Sequence, residues 1–332
     1  MPFCLLAADS SNRFVIGGIF KDGNIFPLGV YSDGKWLGNW EGPNPTTDSG
    51  WEDWSKRINS IHKIHEIPLS WISPFSIFPE KWNYQFSNGR EGKVVVSSTA
   101  IEDTEVGGDG NLCLATRLKS EVYGIAIGGT QSVSFEMPED VTNESVEKGD
   151  LIRLLKNDFE RLELSGAQKA RKLDESWEEK YKNDPQYDHN TNIFPASLTK
   201  LKQLEQRPTI DGLFEKKTMD GDFYFFSLVK KYPTSVENYK YNLVSYMFGW
   251  AVQAVGKPLK IIQEKMSFID GDGKVWGLEG NPDFSDLYDL TPVSCFRLDD
   301  KMYWLFHADF NEAEDFMLLN IDSNDCNVVK LK

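Results

Sequence analysis

The sequence predicts a mostly β, antiparallel protein, either β-propeller-like or built from packed sheets, with a helical insert. Three observations carry that expectation. Two short apolar segments near the N-terminus each turn back on themselves through Asp-Gly. Short apolar runs punctuated by turn residues recur over most of the chain. One long stretch instead shows leucines at helical spacing.

The Asp-Gly turns come first. Ile19–Phe20, Lys21-Asp22-Gly23-Asn24 and Ile25–Phe26 read as strand, turn and strand, and Val30–Tyr31, Ser32-Asp33-Gly34-Lys35 and Trp36–Leu37 read the same way. A tight two-residue hairpin needs positive φ at both central residues, which Gly tolerates freely and Asp better than most. Residues 3–40 are therefore expected to form a meander. Trp51, Trp54, Ile58 and Ile61 share one face of an expected short helix over 51–62.

Strand signals return between Leu69 and Glu136, with Val94–Val96, Leu112–Ala115, Val122–Ile127 and Val133–Phe135 separated by glycine-rich turns. From 145 to 182 the pattern changes. Leu151, Ile152, Leu154, Leu155, Phe159, Leu162 and Leu164 recur at helical intervals with charged residues between them. Gly166 is expected to interrupt this segment, giving a helical hairpin or a small helical insert. After a looser connection, Phe223–Val229, Leu243–Val255, Ile261–Ile269, Val293–Leu298, Met302–Phe306 and Phe316–Ile321 return to strands, although periodicity also allows a buried helix at Leu243–Val255. The expected organisation is an N-terminal β region over 1–140, a helical insert and connection over 141–215, and a C-terminal β region over 216–332 packed with the first. No repeat of fixed period recurs.

Composition bounds the function classes. The 332 residues are 40% hydrophobic and 13% aromatic, enough for a sizeable core. The net charge of −15 disfavours nucleic acid and anionic membrane as partners, because neither would meet an electropositive surface. Cys4, Cys113, Cys295 and Cys326 form no Cys-x-x-Cys pair and are too sparse for a disulfide framework, so they read as buried thiols of a reducing compartment. A Cys4–Cys326 bridge between chain ends is the alternative weighed against this. The first residues lack a basic leader region. A cytoplasmic location is the default expectation, compatible with a leader already removed.

Motifs of chemistry are mostly missing. Nucleophile elbows and phosphate loops ending in Gly-Lys-Ser/Thr do not occur, so no cofactor is expected. Asp270 and Asp272, within Asp270-Gly271-Asp272-Gly273, invite a calcium reading. An EF-hand loop needs glycine at its sixth position and glutamate at its twelfth, whereas Gly273 already stands fourth and Asn281 twelfth. His62 and His65 lack the further ligands that zinc requires. Asp309, Glu312, Glu314 and Asp315 read as a solvated acidic turn between apolar strands.

The tryptophans offer the most specific candidate site. Trp36, Trp40, Trp51 and Trp54 lie close in sequence to Glu41, Glu52 and Asp53. Exposed indole faces beside carboxylates suit stacking on sugars, while aromatic rings also fill ordinary β cores. The expected function is a soluble β-scaffold with a binding or interaction role toward a glycan or protein ligand. The alternative is a carbohydrate-active hydrolase using paired carboxylates beside the aromatic cluster.

Overall fold

The computed structural model describes residues 13–37, 56, 79–96, 98–102, 111–129, 133–143, 148–183, 207–231, 244–269, 275–279, 287–310, 313–322 and 326–329. Their strands form three antiparallel sheets, which is the packed-sheet form of the sequence expectation; among the described residues there is neither a closed barrel nor a ring of propeller blades. The chain divides into two compact units. Unit 1 comprises Met1–Met137, Thr291–Asp322 and Asn327–Lys332, and unit 2 comprises Pro138–Leu290 and Ser323–Cys326.

In unit 1, β1 (Phe14–Ile19) lies between β2 (Ile25–Ser32) and β8 (Gly124–Gly129), and all six of its residues are buried. The same eight-stranded sheet holds β3 (Lys35–Leu37), β4 (Lys81–Phe86), β5 (Glu91–Val95), β6 (Ser98–Glu102) and β7 (Asn111–Ala115). A five-stranded sheet runs in the order β19 (Cys326–Val328), β18 (Ala313–Ile321), β17 (Lys301–Phe310), β16 (Leu287–Leu298), β9 (Phe135–Glu136). One apolar cluster draws on both sheets: Phe14, Ile16, Leu28 and Ile127 from the first, and Phe296, Leu305, Phe316 and Leu318 from the second. This is sheet-on-sheet packing. Its closeness shows at Gly18, where an added Cβ would stand 2.3 Å from the Phe316 ring.

The two Asp-Gly signals part company. At the second, Asp33 and Gly34 have φ of 51° and 79°, as a two-residue hairpin turn requires. At the first, only Gly23 has positive φ. The chain closes there by Gly23 N–H donating to Phe20 O and Asn24 N–H donating to Asp22 Oδ1, a longer turn held by its own side chain. Asp299 and Asp300, between β16 and β17, adopt φ of 47° and 61° with no glycine at all. The Tyr31 hydroxyl donates to Asp299 Oδ2 and so ties that turn to β2.

Unit 2 is a six-stranded sheet in the order β10 (Glu139–Asp140), β11 (Thr209–Thr218), β12 (Gly221–Lys231), β13 (Val244–Ala254), β14 (Lys260–Ile269), β15 (Val275–Glu279). The Leu243–Val255 ambiguity resolves as strand, since β13 pairs along its whole length with β12. One helix, α1 (Gly149–Tyr181), replaces the expected interruption at Gly166 and the helical hairpin. A single glycine costs about 1 kcal/mol relative to alanine in a helix, too little to break one anchored by packing on its N-terminal side. Leu151, Leu155, Phe159 and Leu162 form its apolar stripe and pack on Leu213, Tyr224, Phe226, Leu228, Met247 and Met266 of the sheet. Burying each such side chain contributes roughly 1.5–3 kcal/mol. Strand β11 begins at Thr209, earlier than the sequence suggests for the return to β structure.

Cys113, Cys295 and Cys326 are buried thiols outside any disulfide, so Cys326 makes no bridge between the chain ends. Among the described residues no helix is long and apolar enough to cross a membrane.

Candidate functional site

Of the residues singled out in the sequence, Trp36 is described. It lies on β3 opposite Tyr31, half-buried. Its ring meets Phe14, Tyr31 and Tyr303 edge-on, at centroid distances of 6.0, 5.1 and 5.7 Å. These contacts are those of an aromatic core margin. Trp40, Glu41, Trp51, Glu52, Asp53, Trp54, Asp270 and Asp272 lie outside the described residues, as do His62 and His65. Trp82 is buried, its Nε1 donating to Pro79 O at 2.7 Å.

The acidic run beside Phe316 proves less uniform than a solvated turn. Asp315 stands within β18 opposite Ala308, and its Oδ1 accepts the Phe316 N–H at 2.6 Å. Burial pushes its carboxyl up to about 6, and the Phe316 amide only partly offsets this.

Several polar groups in unit 2 act as internal locks. Lys148, at the start of α1, donates to Glu215 Oε1 at 2.5 Å, and Lys217 stands 3.3 Å from Oε2. Burial pulls Glu215 upward, but hydrogen bonds from Lys148 and Tyr224 hold it below the usual carboxylate value. The Lys230 ammonium lies 2.8 Å from Glu163, both side chains buried. These pairs fix α1 to the sheet.

Two further arrangements carry chemistry. In the first, buried Tyr246 donates its hydroxyl to Asp289 Oδ1 at 2.7 Å. Burial and the charge of Asp289 push Tyr246 well above the ordinary tyrosine value, against a hydrogen bond from Ser227. Asp211 is raised by desolvation and then by Asp289, while Lys231 pulls it down. The charge of Asp289 is therefore felt at Asp211.

The second is an open cleft of about 260 Å³ lined by Gly149, Ile152, Arg153, Lys156, Asn157, Glu160, Arg207 and Pro208. The α1 residues among them recur at intervals of one and three, a single stripe along the first three turns. This stripe is distinct from the apolar one through Leu151, Leu155, Phe159 and Leu162. Arg207 and Pro208, immediately before β11, supply the other wall. Arg153 holds Asp150 at 2.8 Å, but both side chains are largely exposed, so the pair is weak. The charged residues between the leucines of 151–164 were visible in the sequence; their meeting with Arg207 was not, because it depends on how the chain returns to start β11.

Asp, Glu, His and Cys side chains form no group of three or more able to hold a metal ion among the described residues. Set against protein families, curated proteins and solved structures, the chain matches none, so its function must be read from the groups just described.

Proposed function

We propose that this chain is a binding protein that takes a small ligand into the cleft of unit 2 and releases it unchanged. One observation carries the reading: among the described residues the cleft is lined by Arg153, Lys156 and Arg207 together with one carboxylate, Glu160. Hydrolysis of glycosides in its usual form uses two carboxylates flanking the scissile bond. Among the described residues the lining offers recognition groups and one carboxylate. The acidity of the chain as a whole, −15, supports the expectation that neither nucleic acid nor an anionic membrane surface is the partner and that the scaffold is soluble.

A second reading has one observation in its favour. Asp211 has its proton affinity raised by desolvation and by the neighbouring charge of Asp289, and carbohydrate-active hydrolases work with a pair of carboxylates. Against it, Asp289 already accepts the Tyr246 hydroxyl.

A ligand panel of neutral sugars, sugar phosphates, amino acids and short peptides, read by thermal shift and by product analysis, separates the two readings. The binding reading expects stabilisation without turnover, lost in Lys156→Gln. Cleavage of any glycan that disappears in Asp211→Asn overturns it in favour of the hydrolase.

A further inference from the structure

Resting on the binding reading above, we propose that the unit 2 cleft recognises a phosphomonoester carried on a small hydroxylated body, of the sugar-phosphate type. Three features of the lining lead there.

The first is charge. Among the described residues the lining carries three cations against the Glu160 carboxylate, with Asp150 paired to Arg153 beside it, so cations remain in excess. The chain as a whole is −15, so the described lining carries the sign opposite to the chain's net charge. A compact anion is drawn to the cleft, while the remaining acidic surface repels long polyanions, including nucleic acid.

The second is donor geometry. Arg153 stands on α1 and Arg207 on the opposite wall, with Lys156 one turn further along the helix. A guanidinium presents a planar fork that matches two oxygens of a phosphate, and an ammonium adds a point charge. Arg153 must loosen Asp150 to join them. That exchange is cheap, because an exposed pair of this kind is worth about 0–1 kcal/mol.

The third is size and the character of the remaining wall. At about 30 Å³ per water, a cleft of about 260 Å³ holds roughly eight waters, more than a lone phosphate fills. The space left over is bounded by Asn157 and Glu160, which accept hydroxyl protons, and by Ile152 and Pro208, which offer apolar contact. Glu160 also repels a second anionic group, so a single phosphate on a polyol fits better than a diphosphate.

Isothermal titration of the full chain at low salt with glucose 6-phosphate, glucose and inorganic phosphate tests this. Glucose 6-phosphate is expected to bind, inorganic phosphate more weakly, and glucose not measurably. Arg207→Gln and Lys156→Gln should each weaken glucose 6-phosphate roughly ten-fold or more, the effect of losing a hydrogen bond to a charged group. Arg207→Lys should recover part of the loss. Lys172→Gln, the same change of charge at an exposed position further along α1, should leave binding as it was. Circular dichroism of each variant establishes that it is folded.

Equal binding of glucose and its phosphate overturns the phosphate assignment and leaves the binding reading standing. Equal binding of inorganic phosphate and glucose 6-phosphate overturns the hydroxylated body. Binding that is indifferent to both cleft variants overturns the site. If no sugar phosphate binds while another member of the ligand panel does, and Lys156→Gln abolishes it, the present proposal fails and the binding reading survives. If nothing in the panel binds, both fail.

Discussion

Units 1 and 2 solve the same problem, covering a sheet face, with different materials. Unit 1 lays one sheet on another and fills the gap with Phe14, Leu28, Phe296, Leu305 and Phe316. Unit 2 covers one sheet face with a helix, and adds the part-buried pair Lys148–Glu215 and the buried pair Lys230–Glu163 beside its apolar stripe. A helix presents only a stripe of about 100° to a sheet, so its margins reach the sheet with whatever residues flank that stripe. In unit 2 those margins carry charge, and the charges must be paired once buried. Where unit 1 desolvates a half-buried carboxylate, at Asp315, no cation among the described residues pairs with it. The two units therefore respond differently to mutation and to pH.

The largest expected effect is loss of the helix anchor. Phe159→Ala removes a fully buried ring from the stripe and should cost about 4 kcal/mol in chemical denaturation, with a cavity left against the sheet. Leu305→Ala in unit 1 should cost about 3 kcal/mol, by the same mechanism. A small loss at Phe159 would show that the ion pairs, not the apolar stripe, hold α1.

Next comes the buried pair. Lys230→Met leaves the Glu163 carboxylate buried without its ammonium and should cost about 3 kcal/mol. Adding Glu163→Leu should restore most of that stability, because an apolar pair of similar volume avoids the desolvation of two charges. If the double variant is as unstable as the single, the pair contributes more than its desolvation costs.

The pH responses have opposite signs. Asp315 binds its proton more tightly when folded, up to about 6 against an ordinary value of 3.8. The folded state thus holds the extra proton between those values, and stability falls as pH rises through that window. Asp315→Asn should flatten this slope and raise stability at pH 7 by no more than about 3 kcal/mol. Glu215, held below its ordinary value, contributes stability that is present above pH 4.5 and is lost as pH falls through its lowered folded value. Urea titrations of the parent and the Asp315→Asn variant between pH 3 and 7 separate the two contributions. A variant whose slope between pH 4 and 6 is unchanged would remove Asp315 from this account.

The smallest effect belongs to Arg161. It reaches Asp158 and Glu264 from a side chain that is 60% exposed. Arg161→Ala should cost less than about 1 kcal/mol, and the loss should shrink further in salt.

How much of this was legible beforehand follows from the range of each interaction. Asp33-Gly34 announced its hairpin because a backbone preference two residues wide decides it. Asp22-Gly23 announced a turn but not its form, since Asp22 Oδ1 captures the Asn24 amide and lengthens the loop. Gly166 misled because its cost is local, while the packing of Leu151, Leu155 and Phe159 that sustains α1 is not. Trp36 announced an aromatic cluster but not its exposure. Its neighbours Phe14 and Tyr303 lie at opposite ends of the chain. The cleft was not legible at all, since Arg207 says nothing alone and Arg153, Lys156 and Glu160 read as the solvated face of a helix.

By itself, then, the sequence determined the antiparallel β class, the position of the helix and most of the reversals, because these depend on residue preferences and apolar periods within a few positions. Tertiary structure alone decided which face of each strand is covered, which charges became buried pairs, and which cations share a cleft. Those outcomes come from contacts between residues far apart in the chain, and no local preference encodes them.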